Sequence, residues 1–496
     1  MTSSNRVRLS GVAEGTYGTT PNTPRMRKQR ATSIGLSFKA DYVDSDDIRD
    51  DRMSSDPILV GQTNGGQIGL ELHFPQDGSL LSEEIQSAFC DAWGNTPFRD
   101  NDGTADSVIT GVAASTQIVT VTTGAAFVTG HLVYFTGFGL SANRNKLAKC
   151  TTGSATAPVF LGAGLVDEAA PAAASRMKAV GFEGASGDIT ALADGIGSTA
   201  LDLTTFGLAP GRWVKIGATG AGYRFASAAC NVWARVSDTV TATKIPLDNL
   251  PATWTTDDGA GKTIRVFFGD WIKNGVTKYG LTLERGFMGQ GVPTYIKQAG
   301  MRVNTLEFGG QAKQKAAGSA AFIGMLGSRG TVPLDASPDE APNDAAYPVM
   351  AFSANCGSVR EAGAALGTPN YAKAIKFTIN NNLRAIDAIS TGDDFAPAPV
   401  DVQDGSFDVA VELDTYFGND ALLAKVMDGT ATALNTRLDK GGRAMIWEAP
   451  RVTPREGDPN VGGKNQDVML PVKLTASKDS VTGAQLILNR FEFFQA

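Results

Sequence analysis

The chain is poor in the side chains that catalysis and metal binding use most. In 496 residues there are two histidines, His73 and His131. They fall in segments that read as different domains, so they form no acid–base pair. In a repeated motif described below, His131 stands where the second copy has Arg212. A position that exchanges His for Arg is expected on the surface rather than in catalysis. The four cysteines, Cys90, Cys150, Cys230 and Cys356, are scattered and form no CxxC. That spacing excludes a disulfide scaffold and fits reduced, mostly buried thiols in a cytoplasmic compartment. No apolar run approaches the length of a membrane span. The opening "MTSSNRVRLSGVAEGTYG" lacks the apolar middle of a signal peptide. Basic charge is also short, with Lys and Arg at 44 against 51 acids, a net charge of −7. A nucleic-acid-binding surface would normally be basic.

Near-motifs fail on inspection. "DDGAGKT", Asp257 to Thr263, resembles the end of a P-loop, but Thr256 stands where its first glycine belongs and the segment leads into a strand. "DSDD", Asp44 to Asp47, begins like an EF-hand loop, yet the sixth residue is Arg49 instead of glycine. There is no GxSxG elbow and no convergent acid, base and nucleophile. The expectation is a protein with no enzymatic activity, no cofactor and no metal.

What the chain has is glycine, 57 of them, with threonine, valine and alanine in short alternating runs. This composition favours a mainly β protein, and the length favours several domains. Two duplications organise it. In the middle, "VTTGAAFVTGHLVYFTGFG" (Val121 to Gly139) parallels "LTTFGLAPGRWVKIGATG" (Leu203 to Gly220). Each copy has the size of a small β module, so 106–185 and 186–270 read as an inserted pair of small Ig-like β modules. With that insert set aside, the flanks repeat each other. "TSIGLSFKADYVDSDDIR" and "NGGQIGLELHFPQDGSLLSEEI" match "AKAIKFTINNNLRAI" and "DGSFDVAVELDTYFGNDALLAKVM". Further on, "YGLTLERGF" followed by "QAGMRVNTLEFGGQAKQKAAGSAAFIG" matches "AMIWEAPRV" followed by "NQDVMLPVKLTASKD". Domain A therefore comprises 1–105 and 271–330, 331–344 is a Pro- and Asp-rich linker, and domain B is 345–496. One helix is expected per domain. In "SLLSEEIQSAFCDAW", Leu80, Leu81, Ile85, Phe89 and Trp93 recur near helical spacing behind a cap at Ser79 or Ser82.

Between the first matched strands of domain A lies "YVDSDDIRDDRMSSD", Tyr42 to Asp56, with six aspartates and two arginines in fifteen residues. Charge alone suggests a solvated loop. The "NNN" run at Asn380 to Asn382 occupies the corresponding place in domain B and shares its turn chemistry. Strands such as "IGLSFKA" and "AIKFTI" would present unpaired edges in a monomer.

The ordered motifs "VAEGTYGTTPNTP", "SDDIRDDR", the Gly-led strand and the Leu-Leu helix, then "LRAI", "YFGNDALLAKVMDGTATAL" and "GKNQDVMLPVKLTA", resemble the tail tube proteins of long-tailed, non-contractile bacteriophages. The resemblance covers 1–100 and 275–496. It implies two tube-type β-sandwich or half-barrel domains, each with one flanking helix, with the insert as a decoration. It further implies a structural subunit of the virion tail, made in the host cytoplasm. Its rings would stack around a channel through which DNA passes without specific binding. Two tube domains per chain suggest trimeric, pseudo-sixfold rings of about −21 charge, from three chains at −7. Tape-measure, tail-tip and tail-terminator proteins are the implied partners. The arm Val43 to Gly61 would then contact the neighbouring ring through Asp44, Asp46, Asp47, Arg49, Asp50, Asp51 and Arg52. Glu71 and Glu412 are the candidates for the channel-facing wall. The alternative is a β-rich adhesin or carbohydrate-binding protein, with Trp213, Tyr223, Trp233 and Trp254 as a sugar platform.

Overall fold

The computed structural model describes residues 3–101, 108–389 and 398–495. It is built mainly of antiparallel strands, and the largest sheet joins eighteen of them. Its spine is a wall of eight strands contributed equally by the two halves of the chain. In order, these are Ala31–Ile34, the second half of Ile58–Glu71, Ala317–Gly324 and the second half of Thr294–Gln311. The wall continues with Ala372–Asn380, Asp408–Tyr416, Met469–Ala476 and the end of Arg443–Gly457. Both quartets run first, second, fourth, third in chain order. The two quartets thus repeat each other strand for strand, with one correction to the sequence match: Arg443–Gly457 answers Thr294–Gln311 and not "YGLTLERGF".

Alternation makes the wall two-faced, because successive residues of a strand point to opposite sides. Ile68, Leu70, Phe308, Phe377, Val411 and Leu474 belong to the set that points into one buried core. The residues between them point away from it. Two long strands, Thr294–Gln311 and Arg443–Gly457, leave the wall and continue into an outer layer. There the first pairs with Leu281–Phe287 and Leu326–Gly330, and the second with Thr432–Lys440 and Ile487–Phe491. The outer layer closes over the core as the second face of a sandwich.

A helix helps seal each domain. Ser79 accepts from the Ser82 amide at the start of Leu80–Phe89, and Cys90 ends that helix in the left-handed region. Every residue of it is buried. Trp93 lies beyond the helix end, and its indole N–H donates to the Ser82 carbonyl at 3.2 Å. In domain B the counterpart is Ala421–Asp428, stopped by Gly429.

The insert supplies nine strands of a ten-stranded sheet that runs through both copies of the central repeat, with Phe98–Asp100 as the tenth. The copies join where Arg176–Glu183 pairs with Arg265–Phe267. It has two hydrophobic cores. One is internal to the first copy, around Phe127, Phe135 and Phe160. The other includes Trp213, Trp233 and Phe267, and it also takes in Ala444, Ile446, Phe491 and Phe494 of domain B. The insert is therefore packed onto the outer layer of domain B.

The surface expected at His131 and Arg212 is not found, since both are buried. His131 Nδ1 accepts from the Val128 amide at 3.0 Å, and burial pulls the imidazole pKa down to about 4. Arg212 satisfies its guanidinium on the Gly207 and Gly269 carbonyls. His131 bonds within its own loop, while Arg212 ties the loop before it to Gly269, so in both copies the partners are main-chain groups. Edge exposure is corrected at one strand too. "AIKFTI" is paired on both sides within the chain.

Candidate assembly site

One row of residues crosses all eight wall strands. It runs Ser33, Gly69, Ser319, Glu307, Thr378, Ala410, Thr475, Thr453, each opposite the next. Duplication divides it into two quartets that meet at Glu307 and Thr378. Ser33 begins the row on a strand paired on one side, with Ile58–Glu71. Thr453 ends it where Arg443–Gly457 has left Thr432–Lys440 and is paired only with Met469–Ala476. Among the described residues the wall thus carries two free edges, and they occupy equivalent places in the repeat. Thr453 stands as Glu307 does, and Ser33 as Thr378 does.

The joint between the quartets is closed inside the chain. Thr305 to Gln311 pairs with Asn380 to Ala374. Asn381, next to it, is buried and donates to the Ala88 and Val303 carbonyls at 2.9 Å each. Asn382 takes a positive φ of 47° and is held by the Asn380 side chain, so the "NNN" run is a bend.

The face turned from the core carries small residues, among them Ser33, Gly69, Ser319, Thr378 and Ala410, and a few charges. The charges are largely compensated in place. Glu412 lies opposite Lys376 on one side and Lys473 on the other. Lys376 reaches Glu307 at 3.0 Å, and Lys473 reaches Glu456 at 2.7 Å. The result is an alternating ladder of acid and base across neighbouring strands. Glu71 sits on the same face of domain A and pairs with Lys315. Such exposed pairs contribute little to stability individually. Their electrostatic consequence is that the charges along this ladder compensate one another in place.

Past the wall, the strands of domain A continue as a hairpin arm, Ser37–Val43 against the first half of Ile58–Glu71. The turn from wall to arm needs Gly66. Its φ is 116°, and a Cβ there would meet the Gly35 carbonyl oxygen at 2.3 Å. Asp44, Asp46, Asp47, Asp50 and Arg52 are exposed around the arm's end. Arg49 is bound within the arm, its guanidinium reaching Asp51 at 2.7 and 3.0 Å. That pairing holds the Asp51 carboxyl below its ordinary range. Sequence reasoning missed the apolar stem beneath these acids, where Tyr42, Val43, Ile58, Leu59 and Val60 are all exposed. The signal was present as "PILVG", but it reads as core when burial is assumed.

The proposed aromatic platform does not form. Trp213 and Trp233 are buried, and the half-buried Trp254 donates to the Leu192 carbonyl. Among the described residues, no three His, Cys, Asp or Glu side chains gather to hold a metal ion. No helix there is long and apolar enough to cross a membrane.

A second missed feature is a buried ionic cluster under the insert. Asp270 contacts Lys178 at 2.7 Å and Arg490 at 2.9 Å, and it accepts from the Thr96 amide at 2.9 Å. Asp77 contacts Arg490 and Arg176 at 3.1 Å each. Burial pushes both carboxyls up, but the cations outweigh it and hold them below the usual range. The cluster ties together the start of the first helix, the insert, the strand after it and the C-terminal strand.

Comparison with known families agrees with this architecture. The phage tail tube protein family model matches two successive stretches, 4–232 and 239–476, and the chain belongs to that family. The matched stretches run through the insert as well as the two halves of the wall. A search of curated proteins gives no match. The family is a structural one, and membership places the protein in the tail of a bacteriophage virion as a subunit that self-assembles into a tube.

Proposed function

We propose that three copies of this chain close into a ring with pseudo-sixfold symmetry, and that the rings stack into the conduit for genome ejection. The observation that carries the reading is the row from Ser33 to Thr453. It repeats once inside the chain and ends on two free edges that are equivalent in the repeat. A contact between two different patches of identical chains closes into a ring when the rotation allows. Here the internal joint supplies the rotation, since Thr453 opposite the next chain's Ser33 repeats Glu307 opposite Thr378. Three chains of eight strands make a barrel of twenty-four, with no free edge left.

In that barrel the small residues and the Glu307–Lys376–Glu412–Lys473 ladder line the lumen. DNA is held by basic surfaces through counterion release, so a compensated wall offers it no purchase. Tape-measure, tail-tip and terminator proteins meet the lumen and the two ends of the tube. The insert, seated on the outer layer of domain B, decorates the outside. Synthesis takes place in the host cytoplasm, and the acids of the first arm serve ring stacking.

The test is a pair of cysteines, Ser33→Cys with Thr453→Cys. Directly opposed strand positions have the spacing a disulfide needs. Oxidised rings should run as a covalent trimer on a non-reducing gel, and neither single variant should. Covalent hexamers, or assembled rings without cross-links, would refute the arrangement.

A further inference from the structure

The first arm is apolar on both faces of its stem. Val43 lies opposite Ile58, and Tyr42 opposite Leu59. Neighbouring residues on a strand face opposite ways, so the two pairs cover the two sides of the ribbon. All four are 54–60% exposed. A ribbon apolar on both faces is not covered by lying flat on a surface, and it must enter a cleft. Its tip is strongly acidic, and Ile48 and Met53 are also exposed there.

The second hairpin, Arg384–Ile386 against Asp401–Gln403, is held against its own chain through its second strand. Val402 is buried, Lys278 binds Asp401 at 2.6 Å, and Arg302 binds Asp404. The first arm carries five exposed large apolar residues on its paired strands, against Ile386 alone on those of the second.

A matching cleft lies at the other end of the wall. Eight successive residue pairs, Asn64 with Gly324 through Glu71 with Ala317, separate the two ends, a height of about 23 Å. The cleft has a volume of about 300 Å³ and sits where domains A and B meet, lined by Ala312, Phe352, Cys356, Val359, Ala372 and Ile375. Lys373 lines the cleft and is exposed, and the exposed Lys313 stands beside it, its amide donating to the Ser353 hydroxyl of the lining; no ion pair of either lysine is found among the described residues. One end of the chain thus offers an apolar ribbon with an acidic tip, and the other an apolar cleft with a basic rim.

We propose that this cleft receives the first arm of a copy in the next ring, with the arm's aspartates over Lys313 and Lys373. The proposal rests on the tube reading and adds the acceptor site. Because each chain extends one such arm, three arms rather than six tie each ring to its neighbour.

Cys356 lines the cleft and is half-buried, while the other three cysteines are buried. It therefore serves as a native reporter. Ile48→Cys, Met53→Cys and Ile58→Cys are made singly in the full chain, and assembled tubes are oxidised. At least one should give a ladder of chain multimers on a non-reducing gel, which Cys356→Ser abolishes. Lys313→Glu with Lys373→Glu should leave rings intact but reduce stacking by about tenfold or more, and Asp46→Lys with Asp47→Lys should restore it. Tubes in which no arm cysteine gives a ladder overturn the cleft and leave the tube reading standing. Wild-type chains that never form rings overturn both.

Discussion

Arg490 is almost fully buried and serves two carboxylates at once, Asp77 and Asp270, with the Trp93 ring 3.9 Å from its guanidinium carbon. Removing one partner of a buried charge cluster leaves the others uncompensated, which costs about 3–5 kcal/mol. Arg490→Met is therefore expected to lower the denaturation midpoint sharply, and Asp270→Asn in the same chain to recover part of the loss. Glu84 acts in the opposite sense. It is fully buried with one hydrogen bond, from Gln29, and burial raises its pKa from 4.5 to about 8. Its folded form holds a proton that the unfolded form releases. Its contribution is thus complete below pH 4.5 and is lost as pH rises to about 8. Glu84→Gln should remove that slope and stabilise the chain at pH 8 by about 1–3 kcal/mol. Thermal unfolding midpoints across pH 5–8 check it; a slope unchanged in the variant would assign the proton elsewhere. Asp77 and Asp270 have lowered values, so their stabilisation is present at neutral pH and is lost on acidification below the ordinary carboxylate range.

At the scale of elements, the wall strands were legible because each declares itself locally. Val409, Val411 and Leu413 alternate with Asp408, Ala410 and Glu412, and the same period recurs in Ile375, Phe377 and Ile379. The first helix was legible from its cap and its leucine pair. The ionic cluster was not, because Arg490 and Asp77 stand 413 positions apart and no local pattern announces the pairing. Nor was the docking of the linker. "PLDASPDEAPNDAAYP" reads as a loose connector, yet Asp339, Glu340 and Asp344 pair with Arg25, Lys28 and Arg30 along the N-terminal segment. The arm was read through its aspartates alone, because its stem looked like an ordinary core strand. Gly66 links these elements. Gly66→Ala must place a Cβ against the Gly35 carbonyl at a positive φ. It is expected to misdirect the arm while the wall still forms, seen as folded rings by circular dichroism and microscopy that stack poorly. Tubes of normal length from this variant would show that the kink is dispensable.

At the scale of the whole molecule, in the proposed ring the duplication makes one chain span two adjacent one-sixth-turn positions of a sixfold design. The insert and the single extended arm then break that design down to threefold. The C-terminal strand Ile487–Phe491 pairs with Asp270–Lys273 as well as with Arg443–Gly457, so the two domains are fixed relative to each other before any ring forms. A pre-set angle between domains favours closure over open chains. The most direct measurement is cryo-electron microscopy of assembled tubes, with end-on averaging and a helical reconstruction. The account predicts rings of three chains and six similar lobes, a continuous twenty-four-stranded inner barrel, and three external knobs per ring. Six chains per ring, or an inner wall broken between Thr453 and the neighbouring Ser33, would contradict it.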